Sequence, residues 1–423
     1  MIIFSKIKAG ALQFVLFIGT IIVLLLMSFI LINQSHSLFD KQTDIMVDLV
    51  RASDNALIES FSTTAMKGNS LDKVGNQDLG IRSNVSKEYW GLLEKRHSVS
   101  KKGKLQFEKS AFVGYKNPDI SALYLRDDNR PMVIVGEAKI SGDAYLPKRG
   151  IKMGNIQGYG YVSSQLVYGN VHQSNAQLPG LCGQVDQQLK MITGVNYRPK
   201  GNSATLKQGM LIKNSFKEET IVVQGSDYLD LDKVTLIGNV VVWAMDKIRV
   251  RATSQLRDII LVAPEIEIEQ GTRGSFQAIA SERIVVGKGC VLEYPTLLAV
   301  HEGNGSDQAV NTLRDPVIAI ESGSSISGAI IYSNKGKSKG LPKYIGIDRE
   351  ATVTGEVYCD QALELKGNIY GSVTTGSLIS FENGNTYLNH LFNGSINSDL
   401  LPGEYCGLVY DCETTNGIAK WLY

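Results

Sequence analysis

Between residues 234 and 300 the apolar residues return every eighteen positions, and this period narrows what the chain can fold into. Ile248 and Val250 recur as Ile266 and Ile268, then as Ile284 and Val286. Val242 and Ala244 are matched by Ile260 and Val262, by Ala278 and Ala280, and, with one inserted residue, by Leu297 and Ala299. Within each unit apolar and polar residues alternate, the signature of a strand half buried on one face. Strands at a fixed period with no helical stretch between them predict a mostly β fold, a parallel β-solenoid (β-helix) whose coils stack over one apolar core.

The polar residues test that register. Stacking the units puts Lys247, Glu265 and Arg283 in one column, Arg249 beside Glu267, and Arg251 beside Glu269. One coil earlier, Asp230 and Asp232 fall under Arg249 and Arg251. Neighbouring strands lie about 4.8 Å apart, so the alternating signs attract along the stack. Each exposed pair contributes about 0–1 kcal/mol, so the ladder marks the register more than it stabilises the fold.

Residues 11–32 carry no charge, and as a helix they span about 33 Å, enough to cross a bilayer. Lys6 and Lys8 precede the segment and Asp40 is the first charge after it, which predicts a cytoplasmic N-terminus and an extracytoplasmic remainder. The expected place is the inner (cytoplasmic) membrane, single pass, with the C-terminal part periplasmic or extracellular. The apolar run is too long for a cleaved secretory signal, and no small-residue cleavage site follows it.

The leader ends Lys6-Ile7-Lys8-Ala9-Gly10, and the apolar run begins Ala11-Leu12-Gln13-Phe14-Val15. This arrangement resembles the processing site of type IV prepilins and type II secretion pseudopilins. The resemblance implies a cut between Gly10 and Ala11. The fifth mature residue of that family is usually glutamate; here it is Val15, which narrows the likeness to PilX-like minor pilins and the tip pseudopilin K. An ordinary signal anchor that contains a glycine is the plainer reading of the same residues.

The resulting organisation is a leader (1–10), a transmembrane helix (11–32), an amphipathic stalk helix (33–66), a mixed linker or subdomain (67–130), solenoid coils with inserted loops (131–380) and a C-terminal cap (381–423). The stalk has an apolar stripe of Leu38, Ile45, Leu49, Leu57 and Phe61, expected to pack on its own domain; a bundle with other pilin-like helices is the alternative. Residues 86–97, with Ser86 as cap and Tyr89, Trp90, Leu92 and Leu93 inside, predict a short helix. Short apolar segments from Met132 to Ile156 are expected as earlier coils, or as a sheet on the first coil, and residues 173–200 as a loop or boundary. Loops at 302–314 and 333–343 interrupt the later coils. The segments Val353-Thr354-Gly355-Glu356-Val357 and 365–373 resemble bactofilins, polymer-forming β-helix proteins of the cytoskeleton; that likeness supports the fold and adds a polymer-forming scaffold as an alternative role.

Chemistry is sparse. Five cysteines form no CxxC pair, a disulfide between Cys406 and Cys412 is expected, Cys290 falls in the buried phase, and Cys182 and Cys359 are read as free. The five histidines stand in no recognised spacing to a carboxylate or cysteine. Asp127, Asp128 and Asn129 read as a turn rather than a calcium site. With a net charge of +1 and scattered basic residues, nucleic-acid binding is not indicated. The sequence therefore predicts a membrane-anchored extracytoplasmic structural protein without catalytic residues, metal or cofactor. Its role would be a minor pilin-like or scaffold component of an envelope or secretion assembly, with protein partners there, other pilin-like subunits among them. A carbohydrate-active β-helix lyase or hydrolase, or a surface adhesin, is the alternative from another class.

Overall fold

The computed structural model describes residues 9–62, 70–74, 80–116, 120–225, 227–303, 315–334, 342–407 and 416–422. The chain is mostly β with one long apolar helix. It divides into two compact units: Met1–Ser60, Ser70–Val85 and Ser98–Lys109 form the first; Phe61–Asn69, Ser86–His97 and Ser110–Tyr423 form the second.

The first unit is built on helix α1 (Ala9–Ser62), 54 residues without a proline. At 1.5 Å per residue it is about 81 Å long, so the expected transmembrane and stalk segments are one uninterrupted helix. Its apolar residues from Leu12 to Ile32 are exposed, whereas Leu49 and Leu57 are fully buried. The predicted stripe is thus realised only in its last turns, since Leu38 is 61% exposed. There the Ser98 hydroxyl donates to the Ser53 carbonyl (3.1 Å) and Lys109 pairs with Asp54 (2.7 Å).

The helix expected at 86–97 is instead the turn of a hairpin, Arg82–Trp90 and Leu93–Lys102. Gly91 sits in the left-handed region (φ 63°), where it reverses the chain at no steric cost.

In the second unit the strands run in three parallel rows, and each turn of chain adds one strand to each row. The first row runs through Ile221–Gln224, Val240–Trp243 and onward to Asn368–Glu382. The second pairs Tyr228–Leu231 with Lys247–Val250 and so on to Tyr344–Ile347. The third begins with Leu211–Asn214 on Thr235–Gly238. One apolar core is shared by all three rows, with Val242, Ile248, Leu261, Ile266, Ala278, Ile284 and Leu298 among its members.

Register in the second row is as the eighteen-residue period predicts: Ile248, Ile266 and Ile284 are direct neighbours. The first row departs from it. Val242 neighbours Leu261 rather than Ile260, and the buried column continues through Ala278 and Leu298 rather than Leu297. Two irregularities in the strand Gln255–Ile268 bracket the shifted stretch, one between Arg257 and Ile259, where Asp258 has φ 54°, and one between Ala263 and Glu265.

Sequence order and stacking order also differ. The segments between Met132 and Ile156 do not precede the strands at 234–300 in the stack. The strand Leu123–Leu125 pairs with Val373, Thr374 and Thr375, and Lys139–Ser141 with Ser395–Asn397. Ala144–Leu146 follows on Leu123, and Val171–Gln173 ends the row. Residues 123–173 therefore extend the stack beyond residue 397, and the chain then returns to begin again at Asn202–Thr205. The tail is not the expected cap: Ser395–Asn397 belongs to the rows, His390–Phe392 pairs with Val133–Val135 in a separate three-stranded sheet, and Asn416–Leu422 pairs antiparallel with residues 110–115.

Residues 173–200, expected as a loop or boundary, contain helix α2 (Gly183–Ile192). Its Val185, Leu189 and Ile192 are buried on the outer apolar face formed by Val241, Ile260, Val262, Ile279 and Leu297. Each such side chain contributes about 1.5–3 kcal/mol. The first row is thus covered on both sides, which is why its strands lack alternation.

Candidate functional site: the charge ladder, the anchor and the cysteines

The ladder residues lie on the outer face of the second row. The register sets Lys247 beside Glu265 and Glu265 beside Arg283, Arg249 beside Glu267, and Asp230 beside Arg249. Lys247 reaches both Glu265 (3.1 Å) and Glu267 (2.9 Å), and Arg249 reaches Glu267 (3.4 Å). Arg251 bridges Asp230 (2.8 Å) and Glu269 (3.3 Å). Besides Asp230, whose column partner is Arg249, two residues pair differently from their columns. Arg283 turns to Asp315 (4.0 Å), and Asp232 accepts from the Thr253 hydroxyl (2.7 Å) and the Gln208 amide (3.2 Å).

These contacts favour the charged forms. The hydrogen bond from Lys247 holds the Glu267 carboxyl below its ordinary value, and the same bond raises Lys247. The Thr253 hydroxyl lowers Asp232, and the Asp230 carboxylate raises Arg251. Asp230, Glu265, Glu267 and Glu269 each face a cation.

Gly10 and Ala11 stand exposed at the start of α1. Among the described residues α1 is the one helix apolar and long enough to cross a membrane. The apolar stretch is wholly unburied, as a lipid-facing surface would be.

The cysteines correct the sequence reading. Cys406 is a buried free thiol, so the expected pairing with Cys412, which lies outside the described residues, is not made. Cys182, read as free, is disulfide-bonded. Cys290 and Cys359 are buried thiols, and burial raises both.

Asp127 and Asp128 are taken up by turn hydrogen bonds: Asp127 accepts from the amides of Asn129 (2.8 Å) and Lys148 (3.2 Å), and Asp128 from Arg130 (3.2 Å) and the Asn389 side chain (2.9 Å). Among the described residues no three His, Cys, Asp or Glu side chains converge as a metal site.

Sequence reading missed two polar networks. Buried Gln277 donates to the Trp90 carbonyl (2.8 Å) and accepts from the Leu92 amide (2.8 Å), while the Trp90 indole donates to Asn239 (3.0 Å). At the bases of the two loops, Lys343 grips Glu302 at 2.7 and 2.8 Å, and the Asn334 side chain also donates to Glu302 (2.9 Å). Neither network has a sequence signal, because its members lie 32 to 187 residues apart. No family model, no curated protein and no solved structure matches this chain.

Proposed function

We propose that the chain is a membrane-anchored, non-enzymatic structural protein of the cell envelope, a minor pilin-like or scaffold component of an envelope or secretion assembly. One N-terminal helix anchors it in the cytoplasmic membrane, and a β-solenoid is presented on the extracytoplasmic side. The carrying observation is the continuity of α1: a lipid-length apolar stretch and a polar extension share one 54-residue helix. A bilayer core takes up about 20 residues, so the turns between it and the buried Leu49 extend as a stalk. The solenoid reading rests on the parallel pairing of each strand with the strand one turn later. Placement outside the cytoplasm is favoured by the disulfide at Cys182, a bond that persists in oxidising compartments.

Mass spectrometry of the mature N-terminus, on protein purified from membranes, tests the pilin branch. A chain starting at Ala11 supports it; an intact Met1 removes it and leaves the anchored scaffold. Extraction by alkaline carbonate without detergent would remove the anchor as well.

A further inference from the structure

The strand Val171–Gln173 ends its row: it pairs with Ala144–Leu146 on one side, and no strand among the described residues pairs with the other. The Ala144 amide donates to the Asn170 carbonyl (2.9 Å) and the Ser174 amide to the Leu146 carbonyl (2.8 Å). In a parallel ladder the alternate residues then face away, so the Val171 and Gln173 peptide groups point to solvent. The core is also unfinished here. Val373, Leu123 and Ala144 are fully buried, but Val171, next in that column, is 54% exposed. Met153 is 62% exposed beside fully buried Ile134. On the outer side the rings of Tyr124, Tyr145 and His172 stack at 5.3 and 4.9 Å, and His172 is the last of them.

The occupant is indicated by two observations. The molecule already fills a row end with a strand from elsewhere, since Leu123–Leu125 seats on Val373, Thr374 and Thr375 about 250 residues later in the chain. The second is charge. Lys148, Arg149 and Lys152 are exposed at this end and make no ion pair among the described residues. The neighbouring acids are engaged: Asp127 and Asp128 in the turn, and Asp143 with Asn170 (3.0 Å) and His172 (3.5 Å). Exposed Glu137 stands one turn of chain earlier. The opposite end of the stack, at Asn202–Thr205, also carries exposed lysines, Lys200, Lys207 and Lys213, so head-to-tail copies would oppose like charges.

We propose that Val171–Gln173 is a docking edge for an extended acidic segment of a partner protein. The segment adds as the next parallel strand, with an apolar side chain over Val171 and an aromatic ring on His172. Peptide hydrogen bonds to Val171 and Gln173 hold it, and Lys148, Arg149 and Lys152 select its acidic flanks.

The test uses full-length protein in nanodiscs and fluorescence anisotropy of a labelled probe, Glu-Asp-Val-Tyr-Val-Asp-Glu, against a control with lysine in place of each acidic residue. The acidic probe binds and the lysine control does not. Gln173→Pro removes one edge N–H without touching the bonds to residues 144–146, and weakens the probe about tenfold or more. A Lys148→Glu, Arg149→Glu, Lys152→Glu variant inverts the preference between the two probes, and decides the matter should Gln173→Pro not fold. The proposal is overturned by probe binding that is unchanged in both variants, by equal binding of the two probes, or by no binding up to about 1 mM. Cross-linking of Gln173→Cys in one copy to Thr205→Cys in another would also overturn it, by making a second copy the occupant.

Discussion

Arg251 holds Asp230 through two parallel hydrogen bonds of 2.8 Å each, although the strand register sets Asp230 directly beside Arg249. The guanidinium fork matches a carboxylate bidentately, which a diagonal approach permits and the direct one here does not achieve. Arg251→Ala should therefore lower the thermal midpoint more than Arg249→Ala does. Both losses should be small, roughly 1–4 °C, and reduced in high salt. Differential scanning calorimetry at two ionic strengths checks the order; an equal loss in both variants would contradict the bidentate account.

The pH response of the ladder has a definite sign. Glu267 has a folded pKa below its unfolded value, so its contribution is present at neutral pH and is lost as pH falls through the folded value. Lys247 is raised, so its contribution is complete below the ordinary lysine range and is lost as pH rises through the folded value. Thermal midpoints of the parent and of Glu267→Gln should differ at about pH 7 and converge towards about pH 3. A constant difference across that range would show that Glu267 acts through packing.

Gly328, Gly355 and Gly371 are direct neighbours, with φ of 142°, 139° and 147°. A Cβ on Gly355 would lie 2.0 Å from the Gly328 carbonyl oxygen. Gly355→Ala should cost about 2–4 kcal/mol, since both the backbone conformation and the contact are unfavourable. Chemical denaturation reads this loss; a cost within experimental error would mean that the corner can open.

Glu302 is buried and held by Lys343. Lys343→Met leaves that carboxylate without its counter-charge and should cost about 3 kcal/mol, whereas the double variant with Glu302→Gln recovers most of it. Denaturation of the single and double variants measures the coupling.

Thiol counting tests the cysteine assignments. Without reductant, the native protein should react with almost no thiol reagent, because Cys290, Cys359 and Cys406 are buried. Unfolding should expose three thiols per chain rather than five, in keeping with the free cysteines and the bond at Cys182. A count of five would remove the disulfide and the argument for an oxidising compartment.

The second row was legible because one of its faces is wet. Lys247, Arg249, Glu265 and Glu267 alternate with Ile248 and Ile266, so phase and register can both be read. In the first row Val240, Val241 and Val242, like the run from Ile259 to Ala263, are buried on both faces. Alternation vanishes there, and the register shifts at Asp258 and between Ala263 and Glu265 leave no trace in the pattern. At the Gly91 hairpin Tyr89, Trp90, Leu92 and Leu93 fit a helical and a strand period alike; the glycine is the one sign of a turn there. Helix α2 had a usable signal in Val185, Leu189 and Ile192, with Asp186 and Lys190 on its wet side, but Pro179 and Pro199 drew attention to a loop. The seating of Leu123 on Val373 joins positions about 250 residues apart, a distance over which hydrophobic pattern carries no information.

That joint also governs the order in which the molecule can be completed. Leu123, Tyr124 and Leu125 leave the ribosome long before Val373, Thr374 and Thr375 exist, so an early β segment must wait for a late one. Until those late residues are made, the ribbon at 123–173 presents two open borders instead of one, and a holding chaperone would find its use there.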